Sequence, residues 1–313
     1  MRKFIRRGKT DSQHPAKPGL ADRRNPAKHL TPSFMNQPSS VGVLGLGIIG
    51  SRVAENLRQA GHTVSVWSHT ARNVPGALPS PQAVAGAAQV IQIFVRDSEA
   101  LLQAMHDMQP ALTHEHVILN HATVSKAATL EAAALCAASG AAFLDAPFTG
   151  SKMAAQNGKL VYYIGGSTEV LERVRPILEA SSTKILPLGE TGDAMVLKIV
   201  TNLVTAITVK ALSEAAAITH SQGIPLANLL TALENNANYS GLIGMKLPTI
   251  ISGNFDAHFS LRNMLKDADF ARELAAQGGL AAPALECTAE AMRQGVSQGK
   301  GDLDFSVIGQ IES

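Results

Sequence analysis

Apolar and polar positions along this chain follow two regimes. From residue 41 to about residue 188, short apolar runs bounded by Gly, Asn or Asp alternate with Ala-rich stretches of helical spacing. The runs at 41–44, 63–67, 90–95, 117–120 and 142–145 read as strands, and a helix over 49–60 joins the first two into a βαβ unit of about 27 residues. Strands this apolar are buried on both faces, so the pattern predicts an α/β fold with a doubly wound parallel sheet. From about Gly189 the strand-like runs stop. Residues 194–222 contain neither Gly nor Pro and read as one long helix, followed by helical stretches at 226–236, 245–252, 261–277 and 283–298. A second, smaller all-helical domain joined by the long helix is expected, with no repeat of solenoid period. The apolar runs are broken by Gly, Lys or Asn short of the roughly 18 residues that a membrane span needs, so no span is expected.

Charge changes the picture at the start of the chain. Residues 1–40 carry nine Lys or Arg against two Asp, whereas the remainder carries 18 basic against 23 acidic residues. The first segment is also proline-rich and lacks apolar periodicity, the composition of a chain that cannot bury enough surface to order itself. Residues 1–38 are therefore read as a disordered basic extension, 39–190 as the sheet domain and 191–313 as the helical domain. Met35 lies just before the first strand, which leaves open an extension upstream of a start at Met35 or a real solvated tail. A nucleic-acid-binding arm is the sharper alternative, but no nucleic-acid or membrane partner is expected. The two cysteines, Cys136 and Cys287, are far apart and have no ligand-type cluster nearby. That pattern points to neither a disulfide framework nor a metal site, and to a reducing cytoplasm.

The first chemistry lies in Gly45-Leu46-Gly47-Ile48-Ile49-Gly50, between the first strand and the first helix. A pyrophosphate needs backbone N–H groups aimed at it and no side chain in the way. Gly45 permits the tight turn, Gly47 the close approach and Gly50 the packing of helix on strand. The strand–turn–helix context is what raises a common pattern to a dinucleotide site. At the end of the second strand, Ser68-His69-Thr70-Ala71-Arg72 offers hydroxyl, imidazole and guanidinium donors where an acid would repel a 2′-phosphate. NADP is expected over NAD; the bland alternative is an ordinary polar loop, with NAD held by backbone alone.

A second motif runs from Asp145 through Ala146, Pro147, Phe148, Thr149, Gly150 and Ser151 to Gly158 and Leu160. Such a small-residue loop at a strand end can present N–H groups and a hydroxyl to a small anion or carbonyl. Lys198 and Asn202, four apart on the long helix, share a face. Near a substrate and partly desolvated, a lysine can exchange the proton that must accompany hydride transfer at a carbinol carbon. Its bland alternative is a charge snorkelling from an apolar helix.

Taken in order, these motifs resemble the β-hydroxyacid dehydrogenase family, relatives of 6-phosphogluconate and 3-hydroxyisobutyrate dehydrogenases. The resemblance spans nearly all of residues 41–313. It is carried by the glycine turn with Asn56-Leu57, the Asp145 loop closing at Gly165-Gly166, the stretch from Gly192 to Lys198 and Asn202, and Phe255 to Leu261 followed by Lys266-Asp267. It implies a Rossmann-type sheet with an all-α second domain, a homodimer or higher homo-oligomer packed through that domain, and a small-molecule substrate. It further implies that Lys198 is the general acid for carbonyl reduction and general base for alcohol oxidation. Thr149, Gly150, Ser151 and Asn202 would contact the substrate. Phe94, Val95, Thr123 and Lys266 would border the cofactor, with Asp267 supporting its helix and a solvated charge the bland alternative for Lys266.

Several departures bear on the substrate. Thr149 and Ser151 replace Ser and Gly of the family loop, Ala154 replaces a glycine and Thr201 replaces an asparagine, while Tyr162 and Tyr163 stand where smaller residues are usual. Each is expected to add bulk or a hydroxyl near the acceptor end of the site. The expected activity is reduction of a small aldehyde or keto acid, such as a semialdehyde, by NADPH. The rivals are an imine-reductase-like enzyme, against which Lys198 counts, and an inactive dehydrogenase fold used as a binding protein.

Overall fold

The computed structural model describes residues 39–70 and 73–310. The predicted extension at 1–38 and the candidate residue Arg72 lie outside the described residues.

A five-stranded parallel sheet forms from β1 (Ser40–Leu44), β2 (Thr63–Trp67), β3 (Val90–Ile93), β4 (Val117–Asn120) and β5 (Ala142–Asp145), in the order β2-β1-β3-β4-β5. Its register is continuous: Val43 pairs with Val66 on one side and Gln92 on the other, and Gln92 in turn with Leu119. Strands β3 and β4 are buried at every position. Helices cover both faces: α1 (Gly50–Gln59), α2 (Pro81–Ala87), α3 (Ser98–Met108), α4 (Lys126–Ala138), α5 (Lys152–Gln156) and α6 (Thr168–Glu179). The chain reverses direction across the sheet between β1 and β3, which places a crevice beyond the carboxyl ends of those strands.

A second sheet was not anticipated from the sequence. β6 (Phe148–Thr149) pairs antiparallel with β7 (Leu160–Ile164), and β7 pairs parallel with β8 (Ser182–Pro187). The backbone of Asp145 exchanges both hydrogen bonds with Gly165, at 3.0 and 2.8 Å, joining this sheet to the end of β5. Alternation along β7 turns Leu160, Tyr162 and Ile164 inward. Tyr162 is fully buried, its hydroxyl 2.8 Å from Ser181 Oγ and its ring against His121. The expectation that Tyr162 adds bulk to the substrate pocket is corrected: its side chain fills the core between the sheets.

The helical part comprises α7 (Asp193–Ser221), α8 (Leu226–Glu234), α9 (Gly241–Ser252), α10 (Leu261–Gln277) and α11 (Pro283–Gly295). α10 and α11 do not stand apart from the sheet. Ala268, Ala271, Leu285 and Ala289 share one core with Met195 and Ile199 of α7 and with Ile93, Leu101 and Ile118 of the sheet domain. A buried ion pair closes the C-terminal segment: Lys246 Nζ lies 2.8 Å from Asp304 Oδ1 and over the Phe305 ring, and Asp304 also accepts the N–H groups of His258, Phe259 and Ser306. By length and composition α7 is long and apolar enough to cross a membrane, which corrects the reading that the apolar runs are too interrupted. Its lysines are accommodated by the protein: Lys198 is buried, and Lys210 pairs with Glu214 at 3.1 Å.

Helix starts follow local chemistry. Ser80, Asp97, Ser125, Ser151, Ser167, Ser240 and Ser260 each accept an N–H from three residues on, as N-caps do. α1 and α7 differ. α1 begins at Ile49 with no side-chain cap and no acid in its first turn, and α7 begins at Gly192 without a local cap.

Candidate active site

The uncapped start of α1 sits at the crevice. Gly45 takes φ +94° and donates its N–H to Trp67 O, while Phe94 N–H donates to Leu44 O, so the turn is pinned between β2 and β3. A Cβ at Gly45 would lie 2.1 Å from the carbonyl oxygen of Phe94, and one at Gly50 2.0 Å from that of Gly45. These two glycines are required by the protein's own packing. Gly47 is not: a Cβ there meets no protein atom within 4 Å. Open space at a turn residue, in front of an uncapped helix N-terminus, is what a bound pyrophosphate needs. Leu46 is buried beneath the turn and Ile48 is exposed on it.

Beyond β2, the Ser68 hydroxyl donates to the carbonyl of Thr70 at 2.9 Å, and His69 and Thr70 are exposed. At the end of β3, Phe94 and Val95 are half-buried, and Phe94 stacks on His121 with ring centroids 4.5 Å apart. His121 is enclosed, its Nδ1 2.6 Å from the carbonyl of Ala146 and its Nε2 without a partner. Burial pushes its pKa down to about 3, so it is neutral at physiological pH.

The second half of the site is brought in by α7 and α10. Asp145, fully buried at the end of β5, accepts the backbone N–H of Met195 at 2.8 Å and thereby caps α7 from another part of the fold. Burial raises this carboxyl to about 7, against the N–H groups of Met195 and Gly192, which favour its charged form. One turn on, Lys198 Nζ donates to Asn202 Oδ1 at 3.0 Å. Asn202 Nδ2 donates to Asp267 Oδ2 at 2.6 Å, Lys266 Nζ donates to Asp267 Oδ1 at 2.8 Å, and Lys266 Nζ also donates to the carbonyl of Thr123 at 2.6 Å. Lys266 further lies 4.8 Å from the centre of the Phe270 ring. Lys198, Asn202, Lys266 and Thr123 are thus joined in one network. Asp267, only 2% exposed, is its hub rather than a mere support of its helix. Thr123 takes part through its backbone.

Burial lowers the Lys198 pKa to about 8; the charge of Asp267 opposes that shift and that of Lys266 adds to it. An amine of this kind can give or take a proton near neutral pH. It spends one of its three possible N–H donors on Asn202, leaving the others for a ligand. Thr149 and Gly150 lie on β6 and just after it, and no hydrogen bond ties them to the lysine network among the described residues. Ser151 caps α5 by accepting the Ala154 N–H at 3.2 Å, and Lys152 is exposed beside it. The hub role of Asp267 and the anchor at Asp145 were missed at the residue level. Each depends on partners distant in sequence.

Comparison with known proteins decides the family. The model of the NAD binding domain of 6-phosphogluconate dehydrogenase matches residues 40–218, and that of the NAD-binding domain of NADP-dependent 3-hydroxyisobutyrate dehydrogenase matches residues 192–311. The chain belongs to the β-hydroxyacid dehydrogenase family. It is an oxidoreductase of the NAD(P)-dependent kind, acting on CH–OH groups of small molecules. It is 25% identical over 279 residues to glyoxylate/succinic semialdehyde reductase 2 of Arabidopsis thaliana, covering 86% of this chain and 78% of that one. It is 26% identical over 285 residues to 2-(hydroxymethyl)glutarate dehydrogenase of Eubacterium barkeri, covering 88% and 95%. The solved structure of 3-hydroxyisobutyrate dehydrogenase from Mycobacterium tuberculosis with L-serine aligns with a TM-score of 0.81 at 24% identity, covering 87% of this chain and 98% of that one.

Proposed function

We propose that this protein is an NADP-dependent reductase that interconverts a small aldehyde or keto acid and its hydroxy acid, with Lys198 as the general acid/base. The observation that carries the reading is the buried Lys198 amine, held by Asn202 at 3.0 Å with its pKa drawn to about 8. Hydride is what the nicotinamide supplies or accepts. The chain itself must provide the proton, and Lys198 protonated delivers it to a carbonyl oxygen, while Lys198 neutral takes it from an alcohol. Asn202 orients the amine without adding charge, and the Lys266–Asp267 pair holds Asn202 in turn.

The turn from Gly45 to Gly50 would hold the pyrophosphate, with Phe94, Val95, Thr123 and Lys266 bordering the nicotinamide half. The residues after β2, Ser68, His69 and Thr70 with Arg72 next in sequence, include no carboxylate that would repel a 2′-phosphate, and His69 and Thr70 are exposed there, which favours NADP over NAD. The Ser68 hydroxyl already donates to Thr70 and would have to turn to reach a phosphate. Thr149, Gly150 and Ser151 are assigned to the substrate's carboxylate. The Ser151 hydroxyl oxygen already accepts one N–H, so its remaining contribution is its own O–H. Domain limits at 39–190 and 191–313 belong to the same reading, as does a reducing cytoplasmic setting, which two unpaired cysteines fit. A homodimer or higher homo-oligomer is supported by Leu197, Val200, Val204 and Ile218, large apolar side chains exposed along α7.

The test is a fluorescence titration with NADPH and NADH followed by a panel of small acids bearing an aldehyde or 2-keto group, glyoxylate and succinic semialdehyde included. Tighter binding of NADPH and turnover of at least one member is expected. Tighter binding of NADH would overturn the cofactor assignment, and intact NADPH binding with no member reduced would overturn the substrate class.

A further inference from the structure

The glycine turn carries a cation that the dinucleotide-binding pattern itself does not call for. Arg52 is the third residue of α1, at the positive end of the helix dipole, where a cation is disfavoured and an acid is the usual choice. No acid stands in this first turn, and α1 has no side-chain cap. Side chains on a helix lean toward its N-terminus. Accordingly the Arg52 guanidinium reaches back over the turn and donates through Nη1 to the carbonyl of Ile48. Its Nε is shielded from solvent and has no hydrogen-bond partner. Among the described residues, Arg58 of the same helix pairs with Glu55, whereas Arg52 pairs with no acid. The half-exposed guanidinium uses one of its five donors on a backbone carbonyl and holds a second, Nε–H, out of water without a partner, which leaves the remaining N–H groups open to a ligand.

What would match it lies in front of it. The space at Gly47 is open, the helix start is uncapped, and a pyrophosphate placed there carries negative charge within reach of a side chain already lying along Ile48. We propose that Arg52 is a cofactor-binding residue that clamps the pyrophosphate of the dinucleotide from the side of α1, adding a charge-assisted contact to the backbone N–H groups of the turn. The inference rests on the reading of residues 45–50 as the dinucleotide turn. It makes Arg52 indifferent to the 2′-phosphate, because the pyrophosphate is common to NADPH and NADH.

The experiment compares the full-length protein with Arg52→Gln and Arg52→Lys, measuring Kd for NADPH and for NADH and the melting temperature with and without cofactor. Arg52→Gln is expected to weaken both cofactors by the same factor, about tenfold or more, and to flatten the salt dependence of binding. Arg52→Lys keeps the charge and recovers part of the loss. Without cofactor the Gln variant is expected to melt at or above the parent's temperature, since a cation has been removed from the positive end of a helix. Equal affinity in parent and Gln variant would overturn the proposal, as would a loss confined to NADPH, which would move Arg52 to the 2′-phosphate. A Gln variant that melts lower without cofactor would make Arg52 structural. A parent that binds neither cofactor would instead overturn the dinucleotide turn itself.

Discussion

Asn202 donates its side-chain amide to Asp267 at 2.6 Å, so the lysine at position 198 hydrogen-bonds to an amide that is itself held by a carboxylate on another helix. The consequence is a lysine whose proton affinity depends on two opposing neighbours: Asp267 favours the ammonium, while Lys266 and burial disfavour it.

That balance sets the pH profile. Carbonyl reduction needs protonated Lys198, so kcat/KM in that direction is expected to be level below pH about 8 and to fall above it; alcohol oxidation needs the free amine and rises through the same value. In Asp267→Asn the charge that supports the ammonium is gone, so both breaks shift to lower pH. Initial rates in both directions across pH 6 to 10 check this, and a break that stays in place in the variant would contradict it.

Gly47 and Gly50 of the turn are expected to fail in different ways. Gly47→Ala puts a methyl group into space empty of protein, so the melting temperature without cofactor should be unchanged while cofactor affinity drops at least tenfold, as a ~1.4 kcal/mol clash requires. Gly50→Ala drives the methyl to 2.0 Å from the Gly45 carbonyl and should destabilise the fold itself. Thermal melts paired with NADPH titrations separate the two; a Gly47→Ala protein that binds normally would remove the turn from the cofactor site.

Asp145 holds α7 across the sheet and is raised to about 7 by burial, above the roughly 3.9 of an unfolded aspartate. The folded state therefore binds the proton more tightly. The stability this contributes is complete below the unfolded value and is lost as pH rises through about 7. Asp145→Asn imitates the protonated form, so its melting temperature relative to the parent should climb from pH about 4 to about 7 and then level off. Asp145→Ala removes the acceptor for Met195 and lets Lys198 drift, lowering kcat by about ten- to a hundredfold. The Asn variant keeps an acceptor and most of the rate.

Gln92 lies in the centre of the sheet, fully buried between Val43 and Leu119, with neither amide atom hydrogen-bonded. Gln92→Met keeps the length and removes the unmet polar atoms, and is expected to raise the unfolding free energy by about 1–3 kcal/mol in urea.

Much of this architecture can be read from the chain. The βαβ unit around Gly45 and the long helix follow from short-range periodicity, which a sequence carries directly, while the Lys198–Asn202 pair is singled out by its spacing of four together with the family resemblance. What escaped reading depends on contacts distant in sequence. β6 is two residues long, and β8 runs from three polar residues into Ile185-Leu186-Pro187 without any period-two alternation, so neither announces a strand. The Asp145–Met195 bond spans 50 residues and that of Asn202 with Asp267 spans 65. Tyr162 was placed in the pocket although the alternation along β7 turns it inward, a clue that lay within reach of period-two reading. The apolar run of α7 is interrupted by Lys198, which tertiary packing buries, and by Lys210, which pairs with Glu214 on the same helix.

The most direct test of the account is Lys198→Ala, measured for NADPH binding and for reduction of an accepted aldehyde substrate. Cofactor affinity within a few-fold of the parent, with turnover reduced by at least about a hundredfold and the pH break near 8 abolished, is the predicted result. Turnover at the parent's rate would remove Lys198 from the chemistry and contradict the account.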